Sequence, residues 1–204
     1  MINNLANRLT EKLLSTGSIS EDEQELYIYG FFMLLSSLMY LILACFLGLV
    51  FGCISESIVF FIAFQFIRRY AGGYHAKTEI RCTVASSLSM ALCIAVMKLS
   101  KLYPIKNALL ILALLSAVCI LFLCPIDTPE KPLSQKERRY FRKISWAILI
   151  GLLATVLISY IHDWSVLFAP CCMTLVLESV LLVAASIKQQ VAKRNKRAAK
   201  KRDN

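Results

Sequence analysis

Six apolar blocks divide the chain, at residues 26–52, 57–67, 83–97, 108–124, 144–161 and 164–187, and they fix the solvent in which it folds. Hydrophobic residues make up 58% of its 204 positions, against about 45–50% in a soluble domain. The excess lies in continuous runs rather than in one-sided stripes, so the solvent is a bilayer. Unpaired backbone groups are costly in lipid, which makes runs of this length helices. The first block has about 27 residues and the last four about 15 to 24, within or close to the span of a hydrocarbon core. The second has about 11, short for a span unless it extends back through Cys53. The expectation is an all-α polytopic membrane protein with about six transmembrane helices.

The cations sort by side. With six spans, the N-terminus, the 68–82 loop, the 125–143 loop and the C-terminus share one face of the membrane. All but three of the 23 Lys and Arg residues fall on that face, the exceptions being Lys98, Lys101 and Lys106. The positive-inside rule places both termini and both loops in the cytoplasm, with the chain in the cell membrane. A net charge of +10 suggests nucleic acid only when it lies on one face of a soluble fold. Here it lies between spans, and no nucleic-acid partner is expected.

Three regions follow. In residues 1–21, Ile2, Leu5, Leu9 and Leu13 recur at helical spacing, which predicts an amphipathic helix lying on the bilayer or on the rest of the protein. This start is too polar for a cleavable signal. Residues 22–188 form the membrane domain, and residues 189–204 a basic cytoplasmic tail held near anionic lipid. The eight cysteines do not form a secreted disulfide framework. Cys45, Cys93, Cys119, Cys171 and Cys172 sit inside apolar runs and act as small hydrophobes. Cys53 and Cys124 sit at block edges, and Cys82 alone has charged neighbours.

Cys82 ends the segment RRYAGGYHAKTEIRC, residues 68–82, where the polar chemistry of the chain concentrates. His75 precedes it by seven residues, roughly 10 Å along a straight helix. A working Cys–His pair needs about 2.6–3.2 Å, so the two cooperate only if the chain bends. Gly72 and Gly73 permit the bend. Thr78 suits the N-cap of the next helix and Glu79 its first turn. Cys82 then falls near a helix N-terminus among Arg68, Arg69, Lys77 and Arg81, where dipole and cations favour a thiolate. A basic loop with one His and one Cys is also what charge asymmetry alone produces, and the spacing by itself does not separate the two readings. A structural zinc site wants about four N or S ligands at short paired spacings. One His and one Cys do not supply them, so neither metal nor cofactor is expected.

The string RRYAGGYHA followed by Cys82, with the later loop CPIDTPEKPLSQKERRYFRK, resembles the accessory gene regulator B family over about residues 22–187. Those proteins are multi-pass membrane cysteine endopeptidases of quorum sensing. The resemblance implies a partner peptide with an amphipathic leader, a central signal segment and an acidic tail. It implies that Cys82 is the nucleophile and His75 the general base and later acid. The tail is cut away through a cysteine thioester, and the signal segment closes into a thiolactone or lactone autoinducer. The resemblance also implies a homodimer. Arg68, Arg69 and Gly73 match family positions, where they either shape the site and read substrate charge or serve as a helix-end anchor and a turn glycine. Asp127 either orients His75 or starts the turn beside Pro125 and Pro129.

Glu178 lies mid-span, where a carboxylate costs a few kcal/mol and so should face protein or water. It either bonds another helix or touches the peptide. Glu178, Gln65 and the short second block are also what an alternative function would use, a peptide transporter or exporter without covalent catalysis.

Overall fold

The computed structural model describes residues 2–72, 79–126 and 134–202, the side chains at 79, 80, 82, 192, 193 and 195–202 excepted. Seven α-helices and a single short 3-10 turn hold nearly all of them, and no strand occurs among the described residues. The helices are α1 (Ile2–Ser15), α2 (Gln24–Phe51), α3 (Ile54–Ala71), α4 (Glu79–Leu102), α5 (Lys106–Leu123), α6 (Gln135–Ile161) and α7 (Ser165–Arg202).

Polarity is inverted relative to a soluble fold. Leu34, Leu38, Ile42, Phe46 and Leu49 form an exposed apolar stripe along α2, and Ile111, Leu115, Val118 and Phe122 form another along α5. Ser57, Ser116, Ser145, Ser159, Thr174 and Glu178 are buried inside. Such an exterior is stable only against lipid. Helices α2, α4, α5, α6 and α7 are long and apolar enough to cross a membrane, and the chain is a multi-pass membrane protein.

Helix α3 differs from these five. It grows from the short block at 57–67 to 18 residues, about 27 Å at helical rise. Its ends carry Glu56, Arg68 and Arg69, more charge than lipid tolerates. The bundle accommodates them, because α3 packs against α2, α6 and α7. Gln65 Nε2 donates to Ser37 Oγ of α2 at 2.9 Å, one of the polar ties across this interface.

The six long helices alternate in direction. Lys101, near the end of α4, pairs with Glu56, at the start of α3. Lys106, the first residue of α5, pairs with Asp163, just beyond α6, and donates to Tyr160 O at 2.7 Å. Tyr160 OH in turn donates to Asn107 Oδ1 at 2.8 Å, and His162 stacks on Trp164 in the same turn. These contacts gather three helix ends and three helix starts at one end of the bundle. The opposite end therefore holds the end of α3, the start of α4, the end of α5 and the start of α6.

Helix α1 is amphipathic and packs on α2. Its buried positions are Ala6 and Thr10, flanked by half-buried Leu9 and Leu13, whereas Leu5 is 48% exposed. The contact face is thus turned slightly from the Ile2–Leu5–Leu9–Leu13 stripe. The small Ala6 and Thr10, whose hydroxyl bonds back to Ala6 O at 3.0 Å, admit the closer approach.

The α2–α3 hairpin depends on one small residue. A Cβ on Gly48 would meet Ile54 Cα and Ser57 Oγ, each at 2.8 Å. The first of these is backbone and cannot swing aside, so the helices close only over glycine, as small residues permit between membrane helices. Gly48→Leu is expected to destabilise the protein by about 1–3 kcal/mol. Gly30→Leu, on an open face of the same helix with nothing within 4 Å, leaves it near wild type. Thermal unfolding of both variants in detergent checks the pair.

Candidate functional site

The end of the bundle that holds the C-terminal ends of α3 and α5 and the starts of α4 and α6 brings together the roots of the two basic segments, Gly72 and Ile126. Helix α3 stops at Ala71, and Gly72 caps it with φ +81° while its N–H bonds to Arg68 O. That φ is easy for glycine and strained for other residues. Across the gap, the N–H of Ile126 donates to Ala71 O at 3.1 Å. Gly72 and Ile126 form an isolated parallel bridge. A Cβ on Gly72 would meet Ile126 O at 2.5 Å. The roots of loops 73–78 and 127–133 are therefore tied backbone to backbone, one residue before each loop begins.

Side chains reinforce the tie. Arg68 Nη1 donates to Gly72 O at 3.0 Å, so a cation of the last turn of α3 grips the carbonyl that opens the loop. Tyr70 of α3 and Phe141 of α6 meet with ring centroids 6.0 Å apart, pinning the start of α6 to the same corner. Ser134 and Glu137 form a reciprocal capping box at that start, which satisfies two helix donors and sets where the second loop ends.

Cys124 closes α5 beneath the tie and is 2% exposed. Burial pushes its thiol above the ordinary range, the Glu178 carboxylate adds to this, and the Arg142 guanidinium and Ser145 hydroxyl work against it. A buried protonated thiol is a packing group and a poor nucleophile.

The expected site residues fall as follows. Cys82 is the fourth residue of α4, in the first turn, where the exposed backbone donors and the helix dipole favour an anion. Its side chain lies outside the described residues, as do His75, Gly73 and Asp127 altogether. Arg68 is half-buried and Arg69 exposed in the last turn of α3. Glu178 is 0% exposed on α7. Neither Glu178 oxygen has a hydrogen-bond partner among the described residues, and Arg69 lies on the exposed side of the turn that holds Arg68. The Gly72–Ile126 bridge was not foreseen from the sequence. Its one signal is the glycine pair that ends α3, which does not name the partner segment.

Gly72→Ala is expected to cost about 1–3 kcal/mol through backbone strain and the clash with Ile126 O. Gly151→Ala, with nothing within 4 Å in α6, is expected to be neutral or to gain up to about 1 kcal/mol through helix propensity. Thermal unfolding of the two variants side by side measures the difference.

Comparison with known proteins agrees with this architecture. The family model for accessory gene regulator B matches residues 2–186. An AgrB-like protein 2 of Clostridium perfringens strain 13 is 27% identical over 177 residues, which cover 81% of this chain and 82% of that one. An AgrB-like protein of Clostridium acetobutylicum is 36% identical over 116 residues, 55% of this chain and 53% of that one. One of Listeria innocua is 25% identical over 153 residues, 73% of this chain and 72% of that one. No solved structure matches. With the family model spanning nearly the whole chain, this protein belongs to the accessory gene regulator B family and has an accessory role in quorum sensing.

Proposed function

We propose that this protein is a membrane cysteine endopeptidase that trims and cyclises a precursor signal peptide. The observation that carries the reading is the place of Cys82. It sits in the first turn of α4, at the end of the bundle where Arg68, Arg69 and the tied loop roots lie. A thiol at a helix N-terminus among cations has a stabilised thiolate. The imidazole that the reaction needs is that of His75, in the sequence between the end of α3 at Ala71 and the start of α4 at Glu79.

In this reading His75 takes the proton of Cys82, and the thiolate attacks the carbonyl between signal segment and tail. The proton passes to the leaving amine, the C–N bond breaks, and the signal segment stays on Cys82 as a thioester. An internal thiol or hydroxyl of the peptide then attacks that thioester, forms the ring and returns the proton and the free Cys82. The thioester conserves acyl activation as long as water is kept out, which a site at the membrane edge favours. The basic loops attract an acidic tail, and the leader lies along the interface as an amphipathic helix. Both termini and both loops face the cytoplasm in this reading, as the cation distribution supports. The protein acts as a homodimer, which the family resemblance supports.

The test is cleavage of the precursor peptide by membranes containing the full chain. Cys82→Ala is expected to abolish the tail-less product. His75→Ala is expected to lower its rate by at least about 100-fold, the lower end of what a general base contributes. Both variants should insert at wild-type levels. Cleavage that survives either change at the wild-type rate overturns the reading.

A further inference from the structure

Helix α7 outruns the bundle. It has 38 residues, Ser165–Arg202, about 57 Å at helical rise. The longest of the other crossing helices, α2 and α6, have 28 and 27, about 40 Å each. Helix α7 starts at the end of the bundle where α2 and α6 stop, so its last ten or so residues stand past the rest, at the end that holds Cys82. No glycine occurs in α7, and no proline follows Pro170. These residues are the usual causes of a kink, so the arm continues the line of the span. Its charge has one sign. No acid lies between Glu178 and Asp203, whereas eight cations fall in residues 188–202, all of them beyond the family match at residues 2–186. At roughly 100° per residue, Lys193, Arg194, Lys196, Arg197, Lys200 and Lys201 occupy an arc of about 160°. Val191, Ala192, Asn195, Ala198 and Ala199 take the opposite side. Like charges repeat four residues apart, at Lys193 and Arg197, Lys196 and Lys200, and Arg197 and Lys201. With no acid to offset them they oppose the helix, and an anion laid along the face relieves that repulsion.

We propose that this basic face, Lys193 to Lys201, docks an acidic peptide segment in the water beside the Cys82 end of the bundle. Lipid does not fit the geometry. The apolar run of α7 ends at Ile187, and the headgroup layer beyond the hydrocarbon is about 6 Å thick. At a tilt of about 20°, Lys196 to Arg202 stand roughly 7–15 Å outside the headgroups, against a Debye length of about 8 Å. Attraction to anionic lipid fades over that distance, and an unkinked arm does not fold its face down. Nucleic acid fits the chemistry less well, because residues 188–204 have no aromatic side chain on which a base stacks. Carboxylates of a peptide neutralise the face, and the helix beneath gains order. That the segment is the acidic tail of the precursor rests on the function proposed above; the acidic-peptide site itself does not. In that reading α7, which packs on α3, α4, α5 and α6, raises the arm amid the helix ends that frame the site, and a tail held there tethers the substrate beside Cys82.

Fluorescence anisotropy of labelled deca-glutamate, with the full chain in phosphatidylcholine nanodiscs, tests this. Lys196→Gln, Arg197→Gln, Lys200→Gln and Lys201→Gln together are expected to weaken binding at least about tenfold, with helix propensity little changed. Arg8→Gln with Lys12→Gln, two cations of α1, changes it by about twofold or less, since screened charges off the arm contribute little. Hydrogen exchange at the amides of residues 196–201 should slow when deca-glutamate is added and stay unchanged when phosphatidylglycerol replaces phosphatidylcholine. The proposal is overturned if the quadruple variant binds deca-glutamate as wild type does. It is overturned as well if phosphatidylglycerol alone slows those amides as much as the peptide, which lays the arm on lipid. Tighter binding of the oligonucleotide (dT)10 than of deca-glutamate through the same four residues assigns the arm to nucleic acid and also overturns it. The exchange measurement needs no variant and decides the case should the quadruple one fail to insert. In a precursor-cleavage assay the quadruple variant should raise KM about tenfold with kcat unmoved, and replacing the acids of the precursor tail by their amides should erase the difference. A wild-type protein that cleaves nothing removes the proposed function, while the deca-glutamate results still decide the arm.

Discussion

The N–H of Ile126 reaches the carbonyl of Ala71 at 3.1 Å, and this contact joins two loops that are more than fifty residues apart in sequence. It works because Gly72 has no Cβ where Ile126 O stands 2.5 Å from the position one would occupy. Helix ends leave carbonyls without partners inside the helix, and at the end of α3 the next loop of the fold supplies a donor for one of them. The loop that carries His75 thus starts from a fixed point on the bundle, and so does the loop that carries Asp127. A site built from two loops needs such a fixed point before any side-chain chemistry becomes reproducible.

Membrane packing explains why that fixed point can be polar. Lipid tails offer no hydrophobic drive between helices, so association rests on close packing and on buried polar groups. Gly48 and Ala44, both buried, give α2 its close face toward α3, and Gln65 reaches Ser37 across the same interface. Helix α3, packed against α2, α6 and α7, then carries charge at both of its ends. At one end Glu56 pairs with Lys101. At the other Arg68 Nη1 donates to Gly72 O. Helix α3 thus delivers charge to both ends of the bundle, while its Ile62 and Phe66 remain exposed along its length.

Much of this was legible in the residues. Apolar block length gave the six rods, because the backbone in lipid has few alternatives to a helix. The glycine pair marked the end of α3, and Glu79 marked the start of α4 with Cys82 in its first turn. The cation count grouped the loops on one face, and the helix directions bring the roots of those loops to one end of the bundle. Three features were not legible. The extent of α3 was hidden because Arg68 and Arg69 read as loop when lipid is the assumed solvent, whereas they form its last turn, with Arg68 half-buried and bonded to Gly72 O. The pairing of Gly72 with Ile126 depends on tertiary approach, which no local pattern encodes. Glu178 read as a mid-span carboxylate facing protein or water, and its full burial comes from how α7 packs in the bundle, which no local pattern encodes. His75, Gly73 and Asp127 lie outside the described residues, and their part in the site rests on the motif and on the fixed roots of their loops.

The central claim is that Cys82 carries an acyl group. Its most direct measurement is mass spectrometry of the protein stopped seconds after mixing with precursor peptide in which the internal nucleophile is replaced by alanine. The account predicts an adduct with the mass of the leader and signal segment on the tryptic peptide containing Cys82, removed by neutral hydroxylamine as a thioester is. Tail release with Cys82 unmodified, or an adduct on any other residue, would contradict it.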